Sequence, residues 1–167
     1  MKKSELDIRL VKVAEVADHC HLNRWEILRY GNRAEDIAID LNARVEADHA
    51  SDMLTLRLEA LYTYMRGMVK RPLLSHTVEA VFEIPSLAEY VTFNQTRDKV
   101  DLPPSVMSLM LSVAIGALRG MIAQKTAGTA LENRPMPLIN LTELVSRLIY
   151  GQRHDGVVIP VDDPIYR

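Results

Sequence analysis

The chain has 167 residues, a formal net charge of −2 and a pI near 6.2, with 48% apolar and 25% charged residues. That composition suits one soluble domain with one core and excludes a disordered chain. It also argues against nucleic acid as the main partner, because phosphate binding needs a basic surface and no run of like charge stands out.

The first strand is expected around Ile8 to Val13. Ile8 and Leu10 share one face while Val11 and Val13 share the other, which calls for a bulge near Leu10 and Val11 or for burial on both sides. Cys20, the single cysteine, excludes an intrachain disulfide and fits a reducing cytoplasm. Residues 23–35 form a connection too long for a tight hairpin, and it carries Trp25, Ile27, Leu28 and Tyr30.

Two clear alternations follow. Ile37, Ile39, Leu41, Ala43 and Val45 alternate with polar or small residues, and Leu54, Leu56, Leu58, Ala60, Tyr62 and Tyr64 do the same. Between them, residues 48–52 read as a hairpin connection. Gly67 marks the next turn, Pro72 precedes a third such strand through His76, Val78, Ala80, Phe82 and Ile84, and Pro85 ends it.

The second half reads as helix. Pro103 and Pro104 suit a first turn, and an apolar pattern then runs to about Lys125 with Gly128 as the stop. Residues 106–123 are nearly all apolar but interrupted by Arg119, so a core helix is expected rather than a membrane span. A second helix starts at Asn140, which can cap it with Glu143 three residues on, and carries Leu141, Leu144, Val145 and Leu148. Residues 1–151 are thus one α+β domain, an antiparallel sheet with helices on one face, and residues 152–167 an extended tail.

The long helix is apolar around most of its circumference, more than one sheet face can cover. A second subunit is the expected cover, with Met110, Val113, Gly116, Ala117 and Gly120 at the contact. The C-terminal helix and tail are the alternative cover within the monomer. Met53, Met65, Met68, Met107, Met110, Met121 and Met136 suit an adaptable surface or fill core gaps.

Chemical motifs are sparse. Asp18, His19, Cys20 and His21 are too few for a structural zinc site, and His76 lies on an apolar face, where a hydrogen-bonded core role is expected. No phosphate loop, dinucleotide fingerprint or nucleophile elbow occurs, so no enzyme, no catalytic residue, no metal and no cofactor are expected. Met1 to Glu5 is charged, and no signal peptide is expected.

The order of these parts resembles the SecB export chaperones over residues 6–148. The resemblance is carried by the crossover with Trp25, the stretch Asp36-Ile37-Ala38-Ile39-Asp40-Leu41, and the strand Met53-Leu54-Thr55-Leu56-Arg57-Leu58. It continues through Glu79-Ala80-Val81-Phe82-Glu83-Ile84 with Leu87-Ala88-Glu89, then Arg119-Gly120 and Met136-Pro137-Leu138-Ile139-Asn140-Leu141. It implies a four-stranded antiparallel sheet covered by one long and one shorter helix, and a cytoplasmic homotetramer built as a dimer of dimers. It also implies ATP-independent holding of unfolded or pre-secretory polypeptides in an apolar groove. That groove would be lined by Trp25, Ile27, Leu28, Leu141, Leu144 and Leu148. The near-neutral charge and the tail Gly156-Val157-Val158-Ile159-Pro160-Val161 depart from the family and argue against docking on the motor SecA. A scaffold or adaptor for one protein, such as an antitoxin, is the alternative; no nucleic acid and no membrane partner is expected.

Overall fold

A computed structural model describes residues 7–20, 29–30, 34–48, 50–92, 99–150 and 157–160. Four long antiparallel strands dominate: β1 (Arg9–Cys20), β2 (Ile37–Asp48), β3 (Met53–Arg66) and β4 (Val69–Glu83). After a small ladder of β5 (Val91–Thr92) and β6 (Lys99–Val100) come helices α1 (Pro104–Thr126) and α2 (Leu141–Tyr150). A short strand β7 (Val157–Pro160) then joins the main sheet, whose order is β1-β4-β3-β2-β7. The expected α+β architecture holds: a four-stranded antiparallel sheet with a long and a short helix. The tail adds a fifth strand that its two prolines do not suggest, because Pro160 sits at the end of an edge strand, where a missing N–H costs no ladder bond.

Sheet register follows the alternation in the sequence. Ile37, Ile39, Leu41 and Ala43 on β2, and Leu54, Leu56, Leu58, Ala60 and Tyr62 on β3, are buried on one face. The opposite face is polar and laddered: Arg57 donates to Glu79 at 2.9 Å, Ser75 donates to Glu59 at 2.7 Å, and Asn42 donates to Glu59 at 3.1 Å. The β2–β3 turn is tied by Asp48, whose carboxylate accepts from Ala50 N at 3.0 Å, and Asp52 takes a left-handed φ of 52° that aspartate tolerates.

Two irregularities have local causes. Register shifts leave Val11 and Val16 as the extra residues of β1, so the phase change at Leu10 and Val11 is a bulge. Pro72, expected before β4, lies within it. Thr63 pairs with Pro72 but Tyr62 pairs with Leu74, so Leu73 is an extra residue beside the proline. A bulge is where a sheet tolerates a missing donor, and here it lets Leu73 and Leu74 both bury.

Helix α1 lies on β3 and β4 and buries Met107, Met110, Leu111, Ala114, Ile115, Leu118 and Ile122. Burying each large side chain contributes about 1.5–3 kcal/mol before entropy, so this face anchors the helix. By length and a mean hydropathy of 1.8 the helix could cross a membrane, but those side chains are committed to the fold's own core.

Candidate functional site

Helix α2 begins as its sequence suggests. Asn140 Oδ1 accepts from Thr142 N at 3.1 Å and from Glu143 N at 3.3 Å, satisfying two donors of the first turn. The cap sets the helix phase, and Leu144 and Val145 turn into the core while Leu141 and Leu148 stay half-buried. Leu138, just before the cap, is 80% exposed. Arg119, the charge that interrupts the apolar run of α1, donates to Pro137 O at 2.6 Å, and Arg134 donates to Ile37 O at 3.1 Å. These two guanidinium groups fix the connection between the helices, so α2 rests on α1, β2 and β7.

Of the expected groove residues, Leu141 and Leu148 present surface and Leu144 is fully buried. Trp25, Ile27 and Leu28 lie outside the described residues. Beside α2, β7 occupies the edge of β2 through Asp40↔Pro160, Leu41↔Ile159, Asn42↔Val158 and Ala43↔Val157.

The outward face of α1 is uncharged. Ser105, Leu109, Ser112, Gly116, Gly120 and Ala123 are exposed, with Val113, Ala117 and Met121 half-buried beside them. Met110, expected at a subunit contact, is fully buried against the sheet, and Leu109, 58% exposed, stands on the outward side. Helix α2 covers one flank, so the cover that the described residues provide is partial.

Strand β1 is the second open surface. Among the described residues it pairs with β4 alone and no side chain on it is fully buried, and Leu10, Val11 and Val16 are 44–50% exposed. The phase change at Leu10 and Val11 signalled the first bulge in the sequence, and the bulge at Val16 was not read there.

One titratable cluster joins β1, β4 and α1. Asp18 Oδ1 faces His76 Nδ1 at 3.3 Å, and Lys125 donates to Asp18 Oδ2 at 2.7 Å and to Glu15 Oε1 at 3.2 Å. The Lys125 hydrogen bond, aided by His76, holds the Asp18 carboxyl below its ordinary value against the opposing effect of burial. The same hydrogen bond from Asp18, then that from Glu15, raises Lys125. Glu15, Asp18 and His76 are close enough to share a metal ion. The ammonium of Lys125 already supplies the cation to both carboxylates, so the cluster is an ion-pair clamp. His76 is fully buried and hydrogen-bonded, as its place on an apolar face suggested.

No family model and no curated protein sequence matches the chain. Among solved structures it is similar to a Mycobacterium tuberculosis SecB-like chaperone in complex with a ChAD peptide from the HigA1 antitoxin. The two are 15% identical, the match covers 81% of this chain and 89% of the other, and the TM-score is 0.36. Backbones that superpose so loosely say nothing of a shared site.

Proposed function

We propose that this chain is an ATP-independent holdase that binds unfolded or partly folded polypeptides, in the manner of the SecB-like chaperones its sequence resembles. The pairing of β7 with β2 carries the reading. There the chain lays an extended segment of its own on a sheet edge beside α2 over four residue pairs. An edge that accepts one extended segment offers the same backbone donors and acceptors to another, whatever its side chains. Leu141 and Leu148 on α2, which packs on β2 and β7, supply apolar surface, and exposed Leu138 adds to it just before the helix. With Trp25, Ile27 and Leu28 they would form the client groove, and Leu144 would support it from beneath. Apolar contact there supplies about 25 cal/mol per Å² before ordering costs.

Self-assembly belongs to the same reading. The uncharged stripe of Val113, Gly116, Ala117 and Gly120 suits close approach of a second helix, and a dimer of dimers in the cytoplasm is the proposed form. A second reading, an adaptor for one specific protein, draws on the same ladder: the four described pairs from Val157 to Pro160 hold one defined register on β2, as a matched segment would.

The test is suppression of aggregation of several unrelated, chemically unfolded clients by the full chain and by a chain truncated after Gly151. The holdase reading expects suppression by both, several-fold stronger after truncation because the β2 edge is vacated. Stoichiometric capture of one partner without general suppression moves the assignment to the adaptor. Failure of both leaves neither standing.

A further inference from the structure

The β3–β4 hairpin runs past the sheet it belongs to. Among the described residues β2 pairs with β3 as far as Tyr64, opposite Ile37, and β1 pairs with β4 as far as Leu74, opposite Cys20. Beyond those points, among the described residues, the ribbon is two strands wide, paired as Tyr64↔Arg71, Met65↔Lys70 and Arg66↔Val69. Gly67, at φ 58°, takes the first central position of a two-residue hairpin loop, where a left-handed residue is required. Residues 65–72 are all exposed.

This tip combines exposed apolar side chains with cations and has no acidic neighbour in the sequence around it. Met68 at the crown is 104% exposed, with Met65 at 49% and Val69 at 46%. Arg66, Lys70 and Arg71 surround them, and no acidic residue occurs from 60 to 78 in a chain whose net charge is −2. None of the three cations forms a salt bridge among the described residues.

We propose that the hairpin tip is a docking finger that seats this protein on an anionic phospholipid surface. The register argues for that occupant over a protein or nucleic acid. Cross-strand partners share a face and successive residues alternate. Met65 and Lys70 therefore occupy one face, while Arg66, Val69 and Arg71 occupy the other. Each face carries an apolar group and a cation, and Met68 leads. A partner protein or a duplex docks on one face of a ribbon and leaves the other with no use for the same chemistry. A headgroup layer surrounds a finger that enters end-on, taking apolar groups at the tip and cations behind it. At about 3.3 Å per residue the two steps from Met65 to the loop reach about 7 Å, within the ~5–10 Å to which apolar groups enter the headgroup–acyl boundary. The whole-chain charge gives no hint of this, because the acidic remainder conceals the cluster. A lipid occupant departs from the expectation of no membrane partner, which the near-neutral whole-chain charge and the interrupted apolar run of residues 106–123 suggest.

Cosedimentation of the full chain with vesicles of phosphatidylcholine plus phosphatidylglycerol tests the finger, with phosphatidylcholine alone as control. The chain should bind the anionic vesicles and not the neutral ones. Each cation near such a surface contributes about fivefold, so the variant Arg66→Glu, Lys70→Glu, Arg71→Glu should lose at least a hundredfold while its melting curve is unchanged. Met68→Ser and Lys70→Gln, each alone, should weaken binding several-fold and serve if the triple variant does not fold. No vesicle binding, equal binding to neutral vesicles, or binding indifferent to these variants overturns the proposal. Tip-dependent binding of polyglutamate or duplex DNA stronger than that of vesicles assigns the finger to a macromolecular partner and overturns it equally.

Discussion

Lys125 Nζ stands 2.7 Å from Asp18 Oδ2, which fastens the last turn of the long helix to the edge strand β1. The same carboxylate faces buried His76 through its other oxygen. Among the described residues no side chain of this edge strand is fully buried, so the clamp adds to its backbone ladder with β4 a tie to the helix.

The clamp has a defined pH window. The folded Asp18 carboxyl lies below its ordinary 3.8, so its contribution is complete above that value and is lost as pH falls through the depressed one. Lys125 lies above its ordinary 10.5, so its contribution is complete below that value and is lost as pH rises through the raised one. Asp18→Asn should lower Tm at neutral pH by about 2–4 °C. The difference from the parent chain should vanish as pH falls well below 4. Thermal melts at several pH values check both statements.

Leu144 is fully buried at the base of α2. Leu144→Ala should cost about 2–5 kcal/mol in denaturant unfolding, and Leu144→Asp should prevent folding. Leu141→Ser with Leu148→Ser, at half-buried positions, should leave the fold and weaken client binding. Unchanged affinity in that double variant would remove α2 from the groove.

Gly120 is exposed, and a Cβ there meets nothing within 4 Å. Gly120→Ala should therefore stabilise the chain by about 1 kcal/mol through helix propensity alone. In the proposed assembly Gly120→Leu pushes the helices apart, and light scattering should show a smaller species. A parent-sized particle would place the subunit contact elsewhere.

Gly67 is the contrasting glycine. A Cβ there also meets nothing, but φ is 58°, so Gly67→Ala should destabilise by about 1–2 kcal/mol from backbone strain alone. Denaturant unfolding of this variant beside Gly120→Ala should show opposite signs.

The fold was legible where one period persisted. The alternation from Ile37 to Val45 and from Leu54 to Tyr64 gives β2 and β3 with the correct face inward. Asn140 marked the start of α2 as a cap. Where a residue broke the period, sequence located the irregularity but not its form: Val11 proved to be a bulge, and Pro72 lies inside β4 because Leu73 bulges next to it. Leu144 and Leu141 belong to one stripe, yet only packing sorts the buried residue from the half-exposed one.

Local pattern alone determined the strands, the two helices and their apolar faces, because backbone geometry imposes periods of two and 3.6 on any chain that buries one side. Tertiary structure decided that Lys125 meets Asp18 across 107 residues, that residues 157–160 return to pair with β2, and that the β3–β4 hairpin extends beyond the described pairs of its neighbours. Those outcomes depend on how far each strand finds a neighbour, which is a property of the assembled sheet and not of any window of sequence.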